Sequence, residues 1–338
     1  MQLPILAPAP LVAMQAEAFR DLFENRCQFR HFENYLTGLM VLPNKSLANM
    51  TRCILDSSDK SNLSRYLSRD RWEAEQVNDR RLRYLLHETQ PVRLPKEQSV
   101  LIVDDTLCEP VGSLLEYIDR HYNHSEGTYP WAHNPITSPY GSGPVRFPVD
   151  LRLYRRYEEV THWEEFVQKH FPEREIPAQK KERTKFHKEV DPVLLQDAEF
   201  QALDHQFQTQ IALAQELVKG AIEHKLPFQT VLFDSGYLSE ELVACLKRRH
   251  QDWISILKKN RQLETNSFVL KAADGQRIPL EGPPISVEDL VPLIPANAYR
   301  PVQVGDQTYW TFTMSVRIPG WGKVRLVISF ENQELIGT

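Results

Sequence analysis

The chain has 338 residues, 41% of them hydrophobic and 25% charged, which is the balance of an ordinary soluble globular protein with length for two or three domains. No run of about 18 apolar residues is present to span a bilayer as a helix. A net charge of -5, from 40 Lys plus Arg against 45 Asp plus Glu, confines any contact with nucleic acid to a local basic patch.

The N-terminal stretch is mildly apolar, but Pro4, Pro8 and Pro10 interrupt it and no basic segment precedes it. A secretory signal is therefore not expected, and the default compartment is the cytoplasm. Cys27, Cys53, Cys108 and Cys245 form no CxxC pair, so they read as reduced thiols rather than as disulfides or zinc ligands.

From about Ala16 to Glu88 the apolar residues fall three and four apart: Phe19, Leu22 and Phe23, then Phe29, Phe32, Tyr35, Leu36, Leu39 and Met40. That spacing predicts amphipathic helices and an all-α first domain over residues 1–95. Asp70 and Glu73 have capping-box spacing ahead of a further helix carrying Trp72, Val77, Leu82, Leu85 and Leu86. Within the domain, 45–52 and 60–71 read as two short helices around a polar turn, with Arg65, Arg69 and Arg71 facing solvent. Two readings fit: a DNA-binding helix-turn-helix, or a bundle with a charged outer face.

After Pro91 and Pro95 the texture changes. Ser99 to Val103 is a short apolar run ending in Asp104-Asp105-Thr106, the pattern of a buried strand. Ser125 to Pro148 is rich in Gly, Pro, Ser and His and predicts loop, with one short strand at Ile136 to Ser138. Phe147 to Tyr154 alternates as a half-exposed strand, and Gln168 to Leu203, with Lys180, Lys181, Arg183, Lys185 and Lys188, predicts an exposed insertion. An amphipathic helix through Phe207, Ile211, Ala214, Leu217, Val218, Ala221 and Ile222 is closed by Pro227.

Thr230 to Phe233 is a second buried strand ending in Asp234. Ser239, with Glu240 and Glu241 behind it, caps the next helix. Trp253 to Leu257 predicts a third buried strand running into Lys258, Lys259 and Arg261, and from Phe268 to Phe330 alternating strands and many prolines predict a β-rich module.

Two strands that each finish on an aspartate present those carboxylates where α/β sheets carry functional groups. A strand-terminal aspartate can equally be a turn or cap residue. Brought together, Asp104 and Asp234 would repel, and a divalent cation would remove the repulsion and supply the charge for phosphoryl transfer. Asp105 points to the opposite side of the strand and reads as a neighbour bonding Thr106 or a backbone amide, with a third-ligand role less favoured. His121, His124 and His133 have partial zinc spacing without a third supported ligand, so a surface or loop role is favoured. Lys258, Lys259 and Arg261, and Arg152, Arg155 and Arg156, read either as a phosphate track or as solvated basic edges.

Four stretches taken together, LIVDDT, LRLYRRYE, EHKLPF and VLFDSGYLSEELVACLKRRHQDWISILKKNR, resemble the DDE transposases of bacterial insertion sequences, in the insertion sequence 701 group close to the insertion sequence 4 group. The resemblance covers nearly the whole chain. It implies an RNase H-like mixed sheet with flanking helices over residues 96–262, with Asp104 and Asp234 as the first two acids of a metal-binding triad. It further implies a helical N-terminal domain that binds transposon ends, a β-rich insertion over 263–330, Mg²⁺ with Mn²⁺ as a substitute, double-stranded DNA as partner, a homodimer on DNA and a place on the nucleoid. Arg65, Arg69, Arg155, Arg156, Lys258, Lys259 and Arg261 are the expected DNA contacts.

The family's third acid sits in a helical motif of Tyr, Arg, Glu and Lys after the insertion. Here residues 331–338 are only the start of that region, and Glu331 and Glu334 have neither the Tyr and Arg before them nor a helix. The resemblance thus implies a truncated transposase, weak in metal binding and slow or inactive alone. The competing expectations are a non-catalytic DNA-binding remnant or regulator of the element's ends and, less favoured, a non-transposing nuclease.

Overall fold

The computed structural model describes residues 4–55, 60–69, 72–109, 116–123, 126–265, 269–271, 275, 277–279 and 282–335. It divides into two compact units, Met1–Arg93 with Ala221–Leu226, and Leu94–Gly220 with Pro227–Thr338.

The first unit is helical, as its periodicity predicts: α1 (Pro10–Ala16), α2 (Arg26–Val41), α3 (Leu47–Cys53), α4 (Lys60–Arg69) and α5 (Ala74–Glu88). Its core is largely aromatic, with Phe19, Phe23, Phe29, Phe32 and Tyr66 in one buried cluster that also holds Met50. Phe23 and Phe32 lie 4.9 Å apart between ring centroids, and each such ring contributes about 2–3 kcal/mol by burial. Asn25 caps α2 by accepting from the amides of Cys27 and Gln28, and Ser46 caps α3 through Asn49.

The expected capping box is not what starts α5. That helix begins at Ala74 with Glu73 as its cap residue and no side-chain cap bond; Trp72 precedes it and stacks on Tyr66. Asp70 and Arg71 lie outside the described residues, as do 56–59 between α3 and α4. On α4, Leu63 and Tyr66 face the core while Arg65 and Arg69 are exposed.

The second unit is built on a five-stranded mixed sheet of β1 (Val100–Asp105), β4 (Asn134–Ser142), β5 (Val145–Tyr154), β6 (Thr230–Phe233) and β7 (Asp252–Ser255), in the order β5-β4-β1-β6-β7. A two-residue ribbon, β2 (Asp119–Arg120) with β3 (Trp131–Ala132), precedes β4. β1 runs antiparallel to β4 and parallel to β6, and β6 runs parallel to β7. With its flanking helices this is the α/β, RNase H-like arrangement that the resemblance implies. Ser239 caps α11 (Glu240–Arg248), as expected, by accepting from the Leu242 amide.

Three sequence expectations are corrected here. β4 is a nine-residue strand hairpinned to β5, not a three-residue piece of loop. Its buried positions are Asn134, Ile136, Ser138, Tyr140 and Ser142, so small polar side chains disguise the alternation. Ser142 hydrogen-bonds the buried Ser99 at 2.8 Å, and a register shift between Thr137 and Pro139 absorbs a proline that cannot donate to the ladder.

The segment expected to be an exposed insertion has a core of its own. α6 (Tyr157–Val160), α7 (Trp163–His170), α8 (Lys180–Leu194) and α9 (Ala198–Asp204) enclose a small core of Trp163, Val167, Phe186, Val190, Leu194 and Phe200. Phe186, Val190 and Leu194 repeat every four residues under the lysines. α10 (Gln210–Glu223) follows.

Third, β7 is an edge strand and not a buried one. Ile254 and Ile256 are 63% and 73% exposed, and among the described residues no strand pairs beyond β7.

Short elements complete the β-rich module: β8 (Gln262–Leu263), β9 (Val269–Lys271), β10 (Arg277–Pro279), β11 (Ile285–Ser286) and α12 (Val287–Leu290). A three-stranded antiparallel sheet of β12 (Arg300–Val304), β13 (Gln307–Ile318) and β14 (Gly322–Phe330) ends it. Phe268 lies outside the described residues. Among the described residues, no helix is long and apolar enough to cross a membrane.

The helical insertion is held by a half-buried charge network. His187 stacks on Trp163 at 4.0 Å and shares protons with Asp191 and Glu158, while Arg183 reaches Glu158 at 2.6 Å. Burial pulls the His187 pKa down, but the bonds from Asp191 and Glu158 outweigh it and hold it at about 9. Burial pushes Glu158 up, and its bonds to His187 and Arg183 outweigh that, pulling it to about 2.

The folded imidazole is thus protonated where an unfolded one is not. Its stabilisation is complete below 6.5 and disappears as pH rises through about 9. Denaturant melts of the chain and of His187→Gln across that window should converge as pH rises, the wild-type advantage of roughly 1–3 kcal/mol vanishing. A constant difference between the two proteins would remove the ionic role assigned to His187.

Candidate metal and DNA site

The parallel register pairs Leu101 with Val231, Ile102 with Leu232 and Val103 with Phe233. Leu101, Val103, Val231 and Phe233 are all buried, and burying them on neighbouring strands locks that register. Asp104 and Asp234 are therefore the next row, on strands spaced about 4.8 Å apart. Both are exposed at the C-terminal edge of the sheet, the edge where open α/β sheets bind ligands.

Each carboxylate is oriented by neutral donors. Asp104 accepts from the Asp105 amide at 3.0 Å, while Thr137 donates its hydroxyl to the Asp104 carbonyl at 3.2 Å. Asp234 accepts from the Gly236 amide in a tight turn, and Ser255 donates to the Asp234 carbonyl at 3.1 Å. A Cβ on Gly236 would stand 3.0 Å from that same carboxylate oxygen, so the turn favours glycine.

The expected bond of Asp105 to Thr106 or a backbone amide is not found among the described residues. Instead, the Asp105 Oδ1 accepts from the Tyr237 hydroxyl at 3.0 Å. Tyr237 is buried, and that burial, followed by the charge of Asp105 and the bond to it, pushes its pKa far up, so it remains a donor. Tyr237 was not singled out from the sequence. The available signal was a phenol three residues beyond the second aspartate, on the turn that follows the same strand.

Asp104 is held above the usual carboxylate range, first by burial and then by the negative charges of Asp105 and Asp234. That crowding is the condition a divalent cation relieves, and carboxylate oxygens suit a hard ion that keeps water and phosphate among its ligands. Two aspartates therefore fit such an ion. Among the described residues, no group of three or more His, Cys, Asp or Glu side chains stands ready to hold one.

Among the described residues the histidines do not converge. His121 is buried at 7% exposure beside Tyr154 rather than on the surface, and burial lowers its pKa; His133 bonds the Glu116 carbonyl at 2.8 Å; His124 lies outside the described residues.

The basic residues fall into two sets. Arg155 pairs with Glu159 at 2.8 Å and lies over the Tyr117 ring, Arg156 pairs with Asp119 and Glu158, and Arg152 with Asp150 and Glu216. Lys258, Lys259 and Arg261 pair with no carboxylate among the described residues, and they follow β7 at the same sheet edge as the two aspartates.

A family model described as DDE superfamily endonuclease matches residues 18–314. No curated protein matches the chain.

The Tyr237–Asp105 bond is measurable as a coupling. In a denaturation cycle of Tyr237→Phe, Asp105→Asn and the double variant, an interaction of about 1–2 kcal/mol is expected. Additive losses would mean that the phenol does not hold the carboxylate.

Proposed function

This chain belongs to the DDE superfamily endonucleases, and from that premise we propose that it is an insertion-sequence transposase of the 701 group that cuts DNA at the element's ends and joins them to a target. The family implies DNA as substrate and divalent metal ions as cofactor. The observation that supports a reaction centre here is the row of two aspartates set by the β1–β6 register.

Asp104 and Asp234 are the proposed ligands, and Mg²⁺, or Mn²⁺ in its place, is the proposed ion. When bound, the ion supplies positive charge that polarises the phosphodiester and activates the attacking water or 3′-hydroxyl. The chain's own residues orient the ligands: the Gly236 amide fixes Asp234, and Tyr237 keeps one Asp105 oxygen occupied so that Asp104 is the carboxylate presented. Lys258, Lys259 and Arg261 contact the DNA backbone near the reacting bond, Arg155 and Arg156 do so where an ion pair yields to a phosphate, and Arg65 and Arg69 on α4 contact the ends. We assign the working form as a homodimer on DNA, on the nucleoid of a bacterial cytoplasm.

One observation favours a second reading, occupancy of the ends without cleavage: among the described residues, no group of three His, Cys, Asp or Glu side chains able to hold a metal ion forms around Asp104 and Asp234.

A cleavage assay on DNA bearing the element's ends, with Mg²⁺ or Mn²⁺, separates the two readings. The transposase reading expects nicked or joined product that Asp234→Ala abolishes; equal product from that variant would overturn the metal assignment. Binding without product at any metal concentration selects the second reading. Independently of activity, Mn²⁺ should raise the melting midpoint of the chain and not of Asp104→Asn. Because the Asp104 pKa is raised by burial and by its neighbouring carboxylates, the rise should keep growing as pH increases past the ordinary carboxylate values and protons stop competing with the metal.

A further inference from the structure

Beside the aspartate row the second unit carries a cavity of about 380 Å³ lined by Lys258, Asn260, Arg261, Gln262 and Pro319. We propose that this cavity is a built subsite for one phosphate of a DNA strand, deepening the reading above, on which it rests.

The cavity has the chemistry of an anion site. Two cations and two side-chain amides line it, and no carboxylate among the described residues pairs with Lys258 or Arg261. The arginines after β5 are engaged by Asp119, Asp150, Glu158, Glu159 and Glu216. Lys258 and Arg261, by contrast, line a cavity and are open to an outside anion.

The loop is also preorganised, which distinguishes it from a fringe of surface lysines. The Arg261 amide donates to the Lys258 carbonyl at 3.0 Å, closing a turn. The Val287 amide donates to the Arg261 carbonyl at 3.1 Å and the Glu288 amide to the Lys259 carbonyl at 3.0 Å, so α12 braces the turn from outside.

Arg261 is held at its side chain as well. Its guanidinium lies 4.4 Å from the ring of Trp321, which is 1% exposed and packs edge-on against Trp253 of β7 at 6.1 Å. Lys247 of α11 donates to the Trp321 carbonyl. The cation–π contact holds the guanidinium in place and leaves N–H groups to meet phosphate oxygens in a two-pronged contact, with less side-chain freedom lost on binding.

Position separates this phosphate from the scissile one. β7 is parallel to β6, and the row holding Asp234 continues to Ile256, two residues before Lys258. The subsite thus lies along the C-terminal edge of the sheet from the aspartates, one strand over, and takes a phosphate other than the scissile one. Lys259 does not line the cavity and is predicted to matter less than Lys258 and Arg261.

The test is equilibrium binding of a fluorescent DNA duplex to the full chain without metal, as a function of salt. Lys258→Ala/Arg261→Ala should bind roughly tenfold more weakly, with a slope of log K against log salt smaller by about one. Arg261→Lys, which keeps the charge and loses the fork and stacking, should lose part of that affinity at nearly the parent slope. Lys323→Ala/Arg325→Ala removes equal charge from β14 and serves as the control, with each variant's melting midpoint confirming its fold. If the Lys258/Arg261 variant keeps the parent affinity and slope while the parent binds DNA, the subsite is overturned and the transposase reading stands. If the parent binds no DNA at low salt, the reading and the subsite fall together.

Discussion

The parallel pairing of β1 with β6 is the constraint on which the site depends. Parallel neighbours cannot be joined by a tight turn, so the β4–β5 hairpin, the helical block α6 to α9 and α10 all intervene between the two aspartates along the chain. The buried residues of β1 and β6 hold the register. A slip of one residue would turn Asp234 to the other face of the sheet and separate it from Asp104.

That register creates an electrostatic difficulty, because Asp104, Asp105 and Asp234 come together. Among the described residues no Lys or Arg pairs with any of them. The chain answers with neutral donors: the amides of Asp105 and Gly236 and the phenol of Tyr237. Neutral donors orient a carboxylate without cancelling its charge. An internal lysine would have stabilised the fold and removed the reason for a cation to bind there.

The parts of this arrangement that rest on apolar runs were legible in the sequence. Val100 to Val103 and Thr230 to Phe233 are short, continuous and end on acids, so both strands and both aspartates could be placed. β4 was hidden because its inward positions include Asn134, Ser138 and Ser142, and the burial of the two serines is made tolerable by partners distant in sequence, Asp150 for Ser138 and Ser99 for Ser142. The α8 stripe was masked by surrounding lysines, and β7 looked like a core strand because apolarity does not reveal whether a neighbour lies beyond it. The Tyr237–Asp105 bond joins two separate strand ends, and no local pattern carries that information.

The sheet order also separates charges that would otherwise neutralise each other. β1 and β6 deliver their acids to one row, while β7, next in the sheet, leads to a loop that delivers Lys258 and Arg261 beyond that row. Placed within about 4 Å of the aspartates, these cations would form ion pairs and blunt both metal and phosphate binding. Displaced along the edge, with Arg261 fixed on Trp321, they leave the acids to a cation and remain available to an anion. Acid and base drawn from consecutive parallel strands thus give a single edge two complementary charges, which is what a polyanion bridged by metal requires.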